Sequence, residues 1–198
     1  MSVRDDIHAE VKKLEGWVSP ERGVELCDLI LEHKPIICVE IGVFGGRSLI
    51  AQAMALRSLG AGKIYGIDPW KTEAALEGEN VANKEWWSKN VDLHGIHRGT
   101  MEAIWRLGLD EWAIVIRAKS QDCRWLFEGG VDWIFLDGNH SEVSSCRDVN
   151  NYVPLLKPGG ILIFDDADWP STQAALKLLD AQCDLLKDAG SYRIYKKK

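Results

Sequence analysis

The feature that most limits what this chain can fold into is a texture that returns five times, a short and almost wholly apolar run. The runs are Ile36-Ile37-Cys38-Val39-Glu40-Ile41, Lys63-Ile64-Tyr65-Gly66-Ile67-Asp68, Ala113-Ile114-Val115-Ile116, Val131-Asp132-Trp133-Ile134-Phe135-Leu136-Asp137 and Gly160-Ile161-Leu162-Ile163-Phe164-Asp165. Such runs are expected of strands covered on both faces. Helix-length amphipathic segments lie between them, among them Ser48 to Leu59, Glu142 to Val153 and Ser171 to Cys183. Strands alternating with helices make right-handed crossovers and a parallel sheet, so the expected class is doubly wound α/β.

The flanks add detail. Val3 to Leu14 and Pro20 to Glu32 read as helices, the second with Ser19 as N-cap and proline at its first position. Asp184 to Lys187 and Tyr192 to Tyr195, joined across Asp188-Ala189-Gly190, read as a hairpin that adds an antiparallel strand at one edge of the sheet. At 198 residues, one domain is expected: N-terminal helices over 1–34 and an α/β core over 35–198. Trp70, Trp86, Trp87, Trp105 and Trp112 fall in an insert at about 70–112.

Charge and composition exclude several classes. With 24 Lys and Arg against 30 Asp and Glu, the net charge of −6 has the wrong sign for neutralising phosphates, so nucleic acid is not expected as a partner. The N-terminus has no apolar run suited to secretion, and no stretch approaches the length of a membrane span. Cys27, Cys38, Cys123, Cys146 and Cys183 are odd in number, scattered and without C-x-x-C spacing. A reducing, cytoplasmic setting is therefore expected.

In an open parallel sheet, ligands bind beyond the carboxyl ends of the strands. Acids and glycines collect there: Glu40-Ile41-Gly42-Val43-Phe44-Gly45-Gly46-Arg47-Ser48 after the first run, Asp68 after the second, Asp137-Gly138-Asn139-His140 after the fourth and Asp165-Asp166 after the fifth. Glycines in the first loop let the backbone turn tightly and approach a ligand. A dinucleotide fingerprint would need glycines where Phe44 and Arg47 stand, which argues against a nicotinamide-dependent oxidoreductase. Asp68 is positioned to accept from both hydroxyls of a ribose. Each feature has an ordinary alternative, a strand-to-helix turn for the glycines and a helix cap for Asp68.

The Glu-x-Gly-x-x-x-Gly form of Glu40 to Gly46, the aspartate of Gly66-Ile67-Asp68, the Asp137-Gly138-Asn139-His140 turn and Leu156-Lys157-Pro158-Gly159-Gly160 together resemble class I S-adenosylmethionine-dependent methyltransferases. Asp-Gly-x-His followed by a helix and Lys-Pro-Gly-Gly-x-x-x-x-Asp-Asp is similar to the group with small-molecule and sugar O-methyltransferases. The resemblance covers roughly Ile36 to Tyr195 and implies a Rossmann-like fold, S-adenosyl-L-methionine as cofactor and methylation of a hydroxyl oxygen. It implies that Gly42, Gly46 and Ser48 line the methionine part of the cofactor, with Glu40 near its ammonium, Asp68 on the ribose, Ser120 near the adenine and Asp137 among the residues of the cofactor site. The tyrosine that the family usually carries two residues after the histidine is Glu142 here.

Related O-methyltransferases hold a cation on an acidic trio, for which Asp137, Asp165 and Asp166 are the candidates. Hard oxygen ligands suit Mg2+ or Ca2+ better than zinc. The alternative is that Asp137 orders the cofactor's ammonium and the Asp165-Asp166 pair caps the next helix. Asp137 and His140 are the candidate catalytic residues, His140 as general base because it is the one histidine at a strand end. His94 and His97 are candidates for a substrate pocket or for solvated surface. The insert's tryptophans suit a lid, core packing or an interface in a homo-oligomer. A non-catalytic cofactor-binding protein, or another reaction such as hydroxylation on the same scaffold, stays open beside the methyltransferase reading.

Overall fold

All five apolar runs form strands, and the computed structural model, which describes residues 2–78 and 81–198, pairs them in one sheet. β1 (Ile37–Ile41), β2 (Lys63–Ile67), β3 (Ala113–Ile116), β4 (Val131–Leu136) and β5 (Leu156–Asp165) are parallel. The hairpin of β6 (Cys183–Asp188) and β7 (Tyr192–Lys197) completes the order β3-β2-β1-β4-β5-β7-β6. β7 pairs antiparallel to β5 and β6 lies outside it. The edge strand carries Asp184, Lys187 and Asp188, charges that discourage pairing with another chain.

Side chains alternate across the sheet with the period of two that a strand imposes. Trp133, Phe135, Ile161 and Ile163 face one layer, with α1 (Val3–Val11), α2 (Pro20–His33) and α3 (Arg47–Leu59) supplying Ile7, Leu26, Ile30, Leu49 and Ile50. Ile134, Leu136, Leu162 and Phe164 face the other. The insert holds α4 (Thr72–Ala75), α5 (Val81–Asn90) and α6 (Leu93–Arg106), and a short α7 (Ser120–Cys123) follows β3. α8 (Glu142–Tyr152) and α9 (Gln173–Gln182) cover the second face with Val149, Tyr152, Leu176 and Leu179. No described helix is long and apolar enough to cross a membrane.

β5 starts four residues before its apolar run. Val131 pairs with Leu156, and the register then shifts so that Trp133 pairs with Ile161. Pro158 has no N–H to give the ladder and Gly159 is left-handed, with φ of 81°, so the strand bulges across these residues.

The registers that place the site are those at the other end of the sheet. Ile41 pairs with both Ile67 and Leu136, and Leu136 pairs with Phe164. Gly42, Asp68, Asp137 and Asp165 therefore leave the sheet side by side, where the strand order reverses between β1 and β4. Gly42 has φ of 85°, and a Cβ on it would run into the Asp137 carbonyl. Gly42→Ala should destabilise the protein by about 2–4 kcal/mol, combining a strained backbone with overpacking. Urea unfolding of the two proteins measures the loss.

Candidate active site

A cavity of about 930 Å³ opens above the carboxyl ends of the strands. Gly42, Asp68, Asp137, Asp165 and Asp166 lie in its wall, as do Ser120 and Gln121 after β3 and His140 after β4. Trp17, Ser19 and Arg22 from the N-terminal segment, and Trp86 and Trp87 from the insert, line it as well. The volume is near the upper end for small-ligand sites, roughly 300–1,000 Å³.

Asp68 organises the loops beside it. One carboxylate oxygen accepts from the N–H groups of Val43 and Phe44, at 3.1 and 3.0 Å, and the other from Trp70 N–H at 2.7 Å. Phe44 and Trp70 are both left-handed, with φ of 49° and 43°, a conformation that side-chain-bearing residues adopt at a cost. Trp70 Nε1 donates to the Phe44 carbonyl at 2.9 Å and ties the two loops again. Burial raises the Asp68 carboxyl above its ordinary range despite the three N–H donors.

Glu40, Gly46 and Ser48 lie beneath this floor. Glu40 has no solvent exposure; Ser48 Oγ donates to it at 2.8 Å and Gln52 Nε2 at 2.5 Å, while Trp133 Nε1 donates to Gln52 at 2.6 Å. Burial pushes Glu40 up to about 8, against its two hydrogen bonds and aided by the charges of Asp68 and Asp165. Gly46 is left-handed at the start of α3, and a Cβ there would lie 2.9 Å from the Thr100 methyl.

Asp137 is raised well above the carboxylate range by burial and by Asp165, Asp166 and Glu40, against Arg22. Burial raises Asp165 also, against the pull of Arg22. His140 Nε2 lies 2.9 Å from an Asp166 oxygen and 3.9 Å from an Asp137 oxygen, and its ring rests on Trp169. Asp137, His140 and Asp166 each offer a ligand atom within 4.8 Å of the others. Asp165 is not among these three, although its charge acts on Asp137, and it accepts the Asp166 N–H at 3.2 Å. Asp166 is left-handed, with φ of 50°.

Several contacts that shape the site are not legible in the sequence. Ser120 Oγ donates to Asp148 at 2.5 Å, and burial raises that carboxyl to about 6. Asn139 Nδ2 reaches the carbonyls of Ala74, Ala75 and Glu77 and pins the insert beside the cavity. Arg47, standing where a dinucleotide site has its third glycine, donates to the carbonyls of Leu14 and Val18 and draws Trp17 over the site. Its only sequence signal was that it was not glycine. The insert's tryptophans divide: Trp86 and Trp87 line the cavity, Trp70 is buried, Trp112 is half-buried against the core and Trp105 is exposed. His94 is exposed, His97 packs on Trp70, and Glu142 sits exposed in the first turn of α8.

The strand order, the loop after β1 and the cavity at the switch point define a Rossmann-like α/β protein. Residues 39–167 match the model of a methyltransferase domain, and the chain belongs to that family. It is 28% identical over 169 residues to an uncharacterized protein of Acanthamoeba polyphaga mimivirus, covering 83% of this chain and 66% of the relative. It is 26% identical over 156 residues to a caffeoyl-CoA O-methyltransferase of Stellaria longipes, covering 79% and 56%. The chain thus spans between about half and two thirds of the length of these curated relatives. An O-methyltransferase from Bacillus cereus, solved in complex with SAH, superposes with a TM-score of 0.66 at 17% identity, over 100% of this chain and 91% of that one.

Glu40 gives a test of the buried network. Its ordinary pKa of 4.5 rises to about 8 in the folded chain, so between these values the folded state holds a proton that the unfolded state has lost. Its contribution to stability is full below the lower value and disappears as pH rises through the upper one. Urea unfolding at pH 5.5 and 7.5 should show Glu40→Gln losing less stability over that step than wild type, by a difference of order 2 kcal/mol.

Proposed function

We propose that the chain transfers a methyl group from S-adenosyl-L-methionine to a hydroxyl oxygen of a small molecule. The observation that carries this is the row Gly42, Asp68, Asp137 along one cavity at the switch point of a methyltransferase-family domain. The SAH in the Bacillus cereus structure and the activity named for the Stellaria longipes relative support it. In this reading Asp68 accepts from the ribose hydroxyls, Ser120 and Gln121 flank the adenine, and Gly42 and Asp137 receive the methionine part. Glu40, Gly46 and Ser48 shape the floor from beneath. The cofactor brings a sulfonium and an ammonium, charges that suit acids whose pKa values burial has raised. Five unpaired cysteines fit a reducing compartment such as the cytoplasm.

Transfer is an in-line displacement. The acceptor oxygen bonds to the methyl carbon as the carbon–sulfur bond breaks, and the hydroxyl proton leaves to a base. Without a cation His140 is the candidate base, held by Asp166 at 2.9 Å and by Trp169 beside its ring; as a ligand of a cation its nitrogen is occupied and the proton leaves to solvent. Asp137, His140 and Asp166 fit a divalent cation, Mg2+ being the choice for a mainly carboxylate set, with Asp165 supporting Asp166 through its N–H. A cation held there would lower the pKa of the acceptor hydroxyl.

Two measurements test this. Calorimetry should find S-adenosyl-L-methionine or SAH bound at least about tenfold more tightly than NAD, and tighter NAD binding would reject the reading. Once an acceptor is in hand, chelation should abolish transfer and Mg2+ restore it, with Asp166→Asn needing about tenfold or more metal for half-activation. Full activity of the chelated, metal-free protein would remove the cation and leave His140 to act alone.

A further inference from the structure

Arg22 stands in the first turn of α2 and lines the cavity with only 9% of its side chain exposed. Nη1 donates to Glu25 at 3.3 Å, and the guanidinium lies over the Tyr192 ring, with Cζ 2.9 Å from the ring centroid. Nε and Nη2 are buried and have no hydrogen-bond partner among the described residues. These two nitrogens belong to one edge of the planar group, the edge whose parallel N–H bonds take both oxygens of a carboxylate. Buried donors are nearly always satisfied, so a charged edge without an acceptor, on a side chain that lines a cavity, calls for one.

Neighbouring acids do not supply it. The Glu25 carboxylate is taken by Lys187 Nζ and Tyr192 Oη, each at 2.6 Å. Asp165 feels the charge of Arg22 yet bonds to the Asp166 N–H instead. Ser19, the N-cap of α2, lines the same cavity, and the positive end of the helix dipole adds to the attraction for an anion.

We propose that Arg22 binds a carboxylate of the methyl acceptor, which makes the substrate class a hydroxylated carboxylic acid. This rests on the methyltransferase reading above. The guanidinium swings from its stack on Tyr192 to bring the Nε–Nη2 edge to the acid group, and the reacting hydroxyl faces Asp137 and His140 across the same cavity. Trp17, Trp86 and Trp87 offer aromatic faces to the body of the molecule.

The test uses matched probes on the full chain loaded with SAH and Mg2+. Calorimetry compares 3,4-dihydroxybenzoate with 3,4-dihydroxybenzamide, and 4-hydroxyphenylacetate with 4-hydroxyphenylacetamide, pairs that differ in the carboxylate alone. Wild type should bind at least one acid about tenfold or more tightly than its amide. Arg22→Gln should bring that ratio close to one, and Arg22→Lys, with the charge but not the fork, should fall between. Because the ratio is taken within one protein, a loss of stability in a variant does not move it. Wild-type protein that takes up SAH but binds no acid, or binds acid and amide alike, overturns the assignment, as does Arg22→Gln with the ratio intact. Failure of wild type to bind SAH overturns the methyltransferase reading itself and this assignment with it.

Discussion

The Asp68 carboxylate is the interaction on which the site depends. Three backbone N–H groups from two different loops converge on its two oxygens, and two of them belong to left-handed Phe44 and Trp70. Such a conformation costs of order 1–3 kcal/mol per residue. A hydrogen bond to a charged group returns roughly 1.5–3 kcal/mol, so the carboxylate is of the right size to hold both residues in place. The loop after β1 then cannot relax independently of the loop after β2. Its shape also passes outward, because the Phe44 carbonyl accepts from Trp70 Nε1 and Thr100 Oγ1 and so fixes where the insert meets the floor.

A second constraint follows from strand register. Parallel strands that end in one row bring their terminal acids together, and burial then raises Glu40, Asp68, Asp137 and Asp165. Like charges in a partly desolvated cavity are tolerated through shared protons or an added cation. The same arrangement that raises these carboxyls thus favours a positively charged ligand.

The fold was largely legible because its signal is repetitive. Five apolar runs each carried the same information, and an error in one would have been outvoted by the order of the others. The first loop and Asp68 were legible because their chemistry is local to a strand end. What escaped the reading depends on contacts across long sequence distances. Ser120 and Asp148 are 28 positions apart, and Arg47 is 33 from Leu14, so no spacing rule links either pair. Likewise Asp165 and Asp166 look equivalent in sequence. In the structure the Asp166 carboxylate meets His140, whereas Asp165 accepts a backbone N–H.

The N-terminal segment is the part whose role changed most between sequence and structure. In sequence α1 and α2 carry no assignable motif; in the structure their Ile7, Leu26 and Ile30 serve the core. Yet two carbonyls in the connection between them are held by Arg47, which stands at the start of α3 in the loop that Asp68 organises. The segment carrying Trp17, Ser19 and Arg22 is therefore fastened to the cofactor side of the proposed site, while its side chains face the cavity from above. Residues in such a segment can vary without disturbing strand register, whereas changes at Gly42 or Asp68 alter the floor itself. On physical grounds, then, the sheet ends fix which cofactor the cavity accepts, and the segment anchored by Arg47 is where discrimination among acceptors can be built.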